Sequence, residues 1–171
     1  MAIAGGLCII LGCFFYGLSY IKRMKEKMHC LEQWELAFHL LKEELEYQKA
    51  SLPSACHQVG NLLTEDLGKG FQYIFQTMEK GAGETFASVW TRAFEDFVRN
   101  SPLETESKSA ILDFGKYTGF LNVKKQLLFL HQLENNMREQ KEQAKRQYQE
   151  KKKLVYCFSI SLGLIFVIIL A

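Results

Sequence analysis

Two charge-free stretches, one at each end, dictate how this chain can be arranged. Met1 to Ile21 and Leu154 to Ala171 hold no Asp, Glu, Lys or Arg, so all the charge lies between them. At about 1.5 Å of rise per residue such stretches make helices of roughly 31 and 27 Å, near the thickness of a bilayer core. Each is walled off by cations: Lys22, Arg23, Lys25 and Lys27 after the first, Lys145, Arg146, Lys151, Lys152 and Lys153 before the second. Lys and Arg favour the cytosolic side of membrane helices, so both collars are expected to face the cytosol. The expected organisation is a transmembrane helix over 1–21, a cytosolic helical bundle over 22–137, a basic helical stalk over 138–153 and a second transmembrane helix over 154–171. A secretory signal carries its positive charge ahead of the apolar run; here it follows, which favours an uncleaved anchor.

The mean hydropathy of −0.09 averages lipid-like ends with a polar middle. The net charge of +2 is likewise an average: 22–28 carries +3, 29–137 carries −5 and 138–153 carries +4. An acidic body on a basic collar suits an anionic membrane surface and argues against a nucleic-acid partner, which would need the basic face on the body. Of five cysteines, Cys8, Cys13 and Cys157 sit in the ends, leaving Cys30 and Cys56 in the body. No CxxC occurs and the implied compartment is reducing, so no disulfide is expected. His29-Cys30 and Cys56-His57 are sequence-adjacent pairs whose members diverge by about 100° on a helix, a poor zinc site.

Helical periodicity runs throughout, and no alternating stretch suggests a strand. Leu31, Trp34, Phe38, Leu41 and Leu45 form one stripe, opposite Glu32, Glu35, Glu43 and Glu46. Pro53 suits the first turn of a second helix bearing Cys56, Val59, Leu62 and Leu63, which Gly68 and Gly70 are expected to stop. A third helix turns Phe71, Ile74, Phe75 and Met78 inward and ends at Gly81 and Gly83. A fourth, aromatic-rich helix carries Phe86, Val89, Trp90, Ala93, Phe94 and Phe97. A fifth runs from about Glu104 to Lys116, with Gly115 and Gly119 marking the last break. The sixth packs Val123, Leu127, Leu130, Leu133 and Met137 and continues into the stalk. The fold class is therefore all-α: a six-helix antiparallel bundle between two membrane helices, with the first and last side by side. Cys13 with Gly17 and Ser159 with Gly163 are small-xxx-small pairs that permit close contact in lipid, within one chain or in a homo-oligomer.

Catalytic patterns are missing. Gly68-Lys69-Gly70 lacks the spacing and hydroxyl residue of a phosphate loop, and no HExxH or nucleophile elbow occurs. Neither an enzyme nor a cofactor is expected. The run Glu43-Glu44-Leu45-Glu46 reads as a solvated helix face available to a partner rather than as an acid–base site.

Several stretches together resemble stage III sporulation protein AB of endospore-forming bacteria: the apolar start running into Ile21-Lys22-Arg23; Leu40-Leu41-Lys42-Glu43-Glu44-Leu45-Glu46-Tyr47 with Pro53 beyond; Trp90; Phe114-Gly115-Lys116-Tyr117-Thr118-Gly119 with Gln126; and the Lys-rich stalk entering the last span. One departure is Leu52 before Pro53, where that family more often has Pro-Leu. The resemblance implies a part of the channel between mother cell and forespore, with a body similar to the platform (F) components of type II secretion and type IV pilus machines. It further implies docking of a cytosolic secretion-type ATPase and of other channel membrane proteins. The contact candidates are Glu43, Glu44, Glu46 and Tyr47, and the turn-forming candidates are Pro53, Gly115, Gly119 and Gln126. A reading from a different class is a membrane-anchored sensor whose Phe71, Phe75, Phe86, Trp90, Phe94 and Phe97 line a small-ligand pocket.

Overall fold

The computed structural model describes the backbone of residues 2–81, 83–118 and 122–170, and the side chains of residue 15 and of 17–64, 66–81, 83–118 and 122–154. Six helices follow in order: α1 (Ala2–Glu46), α2 (Leu52–Leu62), α3 (Glu65–Glu79), α4 (Phe86–Asn100), α5 (Thr105–Thr118) and α6 (Val123–Leu170). Among the described residues there is no strand. Each helix packs on its sequence neighbour, and the broadest interface, between α1 and α6, closes the bundle. Contacts across it run in opposite directions: Lys25 meets Tyr148, Glu35 meets Lys141, and Lys42 meets Glu134. The two long helices are thus antiparallel, with Lys22 and Lys151–Lys153 at one end and Glu46 with Val123 at the other. These are the collar end and the tip.

The packed face of α1 is the expected stripe, with Leu31, Trp34, Phe38 and Leu41 fully buried and Leu45 nearly so. Leu130, Leu133 and Met137 answer it from α6, and the buried face continues to Ala144. The aromatic residues fill the space between. Trp34 lies 5.3 Å from Phe38 and 5.1 Å from Phe94, and Trp90 lies 4.7 Å from Phe94 and 4.9 Å from Phe114, centroid to centroid. Rings in mutual edge and stacked contact constitute a core. Polar clamps fix α5 against α6 at both ends. Ser107 Oγ donates to Gln140 Oε1 at 2.5 Å, and Gln126 Nε2 donates to the Thr118 carbonyl at 2.8 Å. That last bond satisfies a carbonyl left without an intrahelical partner at the end of α5.

Pro53 occupies the first turn of α2, behind Ser51, whose Oγ accepts from the Ser54 amide. Gly81 and Gly83 lie at φ of 64° and 70°, the left-handed region that glycine enters without strain, and they end α3 as expected.

Three expectations are corrected. Gly68 and Gly70 do not stop α2; they lie inside α3, which begins at Glu65. They are there for closeness, since a Cβ would fall 2.4 Å from the Leu63 carbonyl oxygen at Gly68 and 2.3 Å from the Phe94 ring at Gly70. Gly115 likewise forms no turn; it is buried within α5, where a Cβ would fall 2.3 Å from the Trp90 ring. Leu62 and Val123, expected inward, are exposed. Gly119 lies outside the described residues. Among the described residues no helix is long and apolar enough to cross a membrane. Most side chains of 1–21, and all of 154–171 except Leu154, lie outside the described set. The two-span expectation therefore draws no support from the described residues, and neither does contact through Cys13 or Ser159 and Gly163.

Candidate docking surface at the bundle tip

Leu41 and Leu45 are drawn into the core, and helical geometry then turns the residues between and after them outward. Glu43, Glu46 and Tyr47 are exposed, Tyr47 at 73%, while Glu44 is half-buried. The four contact candidates thus share the last turn of α1 and its exit, although Glu44 stands apart from the outward face. Opposite them the start of α6 presents Lys124 and Lys125, both exposed. An open groove runs between the two helices, bordered by Glu46, Lys42, Asn122, Lys125, Leu128 and His131.

Residues not foreseen as exposed complete the surface. Val123, Leu128 and Tyr117 stand at 55%, 61% and 59% exposure. Leu127-Leu128-Phe129-Leu130 carries a legible signal, because four successive apolar residues on one helix cannot all face one neighbour. Leu130 is buried and Leu127 and Phe129 pack partly against the core, which leaves Leu128 outside. Charges of both signs around exposed Tyr and Leu make a patch suited to a protein partner.

Behind the tip, paired charges lock the α1–α6 register. Lys42 Nζ donates to Glu134 Oε2 at 2.6 Å, His39 Nδ1 lies 3.0 Å from Oε1, and Lys141 pairs with Glu35. Burial alone would raise the Glu134 pKa, but hydrogen bonds from Lys42 and His39, with their charges, outweigh it and hold the carboxyl below its ordinary value of 4.5. A carboxyl held down in the folded state gives stability that is complete above its unfolded pKa and fades as pH falls through the lower folded one. Glu134→Gln is therefore expected to cost about 1–2 kcal/mol at neutral pH. The gap from the parent protein should close as pH drops below 4.5, as read by chemical unfolding at several pH values. A gap that stays constant through that window would contradict the assignment.

Cys30 and Cys56 are core groups. Burial pushes the Cys30 thiol up to about 11, only partly offset by the charge of Lys108, and raises Cys56 as well. Both are neutral packing thiols. Among the described residues no three His, Cys, Asp or Glu side chains gather as metal ligands.

At the other end the collar cations Lys22, Arg23, Lys25, Lys151, Lys152 and Lys153 are exposed, and Lys27 is half-buried with its Nζ 2.5 Å from Glu104 Oε1.

The family profile of stage III sporulation protein AB matches residues 2–171. The chain belongs to that family. Among solved structures, one described as stage III sporulation protein AB is similar to it with a TM-score of 0.62 at 16% identity, covering 72% of this chain and 96% of that one. At that identity the likeness speaks for the fold: the helical body of this family member follows a known arrangement of helices. No curated protein matches the chain.

Proposed function

We propose that this member of a sporulation family is a non-enzymatic membrane adaptor of the channel between mother cell and forespore. In this reading, residues 1–21 and 154–171 cross the cell membrane and the body stands in the mother-cell cytosol. The tip docks a secretion-type ATPase, while the anchors and flanks meet other channel membrane proteins. The likeness to secretion-platform F components, suggested by sequence, belongs to the same reading.

The observation that carries it is the antiparallel α1–α6 register, which brings both basic collars to one level. Two segments entering one membrane from one side require that level, and cations on that side fit cytosolic placement. From Lys22 to Glu46, α1 rises about 36 Å, so the tip stands well clear of any membrane at the collar. Family membership supplies the sporulation context. Mutual contact of Phe71, Trp90 and Phe94 favours an aromatic core over a ligand pocket at those three residues.

The test is co-purification of the full chain with the sporulation ATPase in detergent and in lipid. Binding is expected. Glu43→Lys with Glu46→Lys should weaken it about ten-fold or more, since reversing exposed charges places like charges across the interface. Tyr47→Ala should weaken it further, as an exposed aromatic anchor lost. Clean absence of binding in both media would sink the docking claim.

A further inference from the structure

The two collars do not merely share a level. Lys25 Nζ from α1 and Lys152 Nζ from α6 each lie 5.9 Å from the ring centroid of Tyr148, so cations from opposite helices gather at one aromatic ring. The ring's attraction for them is modest at an exposed site. Within about one turn of them along the two helices are Lys22, Lys151 and Lys153, and the segments 22–28 and 138–153 keep net charges of +3 and +4. Glu26 approaches Lys22 only at 4.0 Å across exposed side chains, which neutralises little. Met24 within the collar and Ala144 beyond it are buried, and the Glu35–Lys141 pair holds α1 against α6, so these like charges are kept close by packing. The net positive charge of the two segments favours an anionic surface beside them.

What lies beyond the cations narrows its nature. Phe15, Leu18 and Tyr20 on α1 and Leu154 on α6 are exposed, so an apolar band adjoins the basic one on the same two helices. Cations above, Tyr20 at the boundary and the other apolar groups below match the layering of headgroup, interface and acyl chain. A nucleic acid would meet only the upper half of that sequence.

Resting on the bilayer placement proposed above, we infer that the collar is a binding site for the phosphate headgroups of anionic phospholipids. Its centre is Lys25, Tyr148 and Lys152, with Lys22, Lys151 and Lys153 at the rim. Each ammonium donates to a phosphate oxygen, and the Tyr148 ring draws the two central cations, one from each helix, to a common place.

The test uses the full chain reconstituted in vesicles of phosphatidylcholine with a minor share of phosphatidylglycerol, with spin-labelled lipids reporting which headgroup contacts the protein. A preference for phosphatidylglycerol of about five-fold is expected, as about one well-placed lysine would give, falling toward parity in high salt. Lys25→Gln with Lys152→Gln should abolish most of it while leaving helix content unchanged, because both side chains are exposed. Equal partition of the two lipids around a chain that floats with the vesicles would overturn this inference and leave the bilayer placement standing. An undiminished preference in the double variant would overturn the assignment to these residues. Failure to float with vesicles of either composition after salt extraction would overturn the placement and the site together.

Discussion

Gly115→Ala should destabilise the bundle by about 2 kcal/mol or more, although the residue sits mid-helix where alanine is intrinsically favoured. The propensity gain is about 1 kcal/mol. Against it stands a new Cβ at 2.3, 2.4 and 2.6 Å from three atoms of Trp90, separations at which something must move. Overpacking a close-packed interior typically costs about 1–3 kcal/mol and occasionally more. The upper part of that range applies because Trp90 is confined. Its Nε1 donates to the Ile111 carbonyl at 2.9 Å, and Phe71, Phe86, Phe94 and Phe114 surround its ring. Thermal or urea unfolding of the full chain in detergent reads the effect. Lys116→Ala, at the exposed next position, should change stability by less than about 0.5 kcal/mol. If Gly115→Ala is neutral, α5 does not approach α4 as described.

A larger loss, about 4 kcal/mol, is expected for Trp90→Ala, which empties the junction between α3, α4 and α5. The two tryptophans are then separable by chemistry. Both are fully buried among rings. Trp90 donates a buried hydrogen bond to α5, whereas Trp34 Nε1 has no acceptor among the described residues. Trp90→Phe therefore loses packing and a hydrogen bond, and Trp34→Phe loses packing while relieving a buried unpaired donor. The difference between them should be about 1 kcal/mol or more, with Trp90→Phe the more damaging. Equal costs, or the reverse order, would contradict the assigned role of the indole N–H.

The six-helix class was legible because the Leu31-to-Leu45 and Phe86-to-Phe97 stripes have unbroken helical spacing and because Pro53, Gly81 and Gly83 punctuate the chain. Misplaced elements trace to one ambiguity. A glycine in sequence looks the same whether it ends a helix with a left-handed residue or lets two helices touch. Gly81 and Gly83 do the first; Gly68, Gly70 and Gly115 do the second, and only the neighbours Leu63, Phe94 and Trp90 tell them apart. At the tip, the outward placing of Glu43, Glu46 and Tyr47 followed from the α1 stripe. The apolar half of that surface did not, since Val123 and Leu128 look like core residues until α1 is seen to cover only one side of α6. The Lys25–Tyr148–Lys152 grouping was beyond reach for a related reason: it depends on the register between helices more than a hundred residues apart in the chain.

The proposed hairpin sets both basic collars on the cytosolic face and the tip in the cytosol. Native Cys30 and Cys56 are buried and would stay silent to a labelling reagent. The direct measurement places a single exposed thiol, Tyr47→Cys, in a chain whose five native cysteines are replaced by alanine, and treats intact sporulating cells with a membrane-impermeant maleimide. The expected result is no labelling until the membrane is permeabilised and full labelling afterwards. Labelling of Tyr47→Cys from outside intact cells would rule out the cytosolic tip.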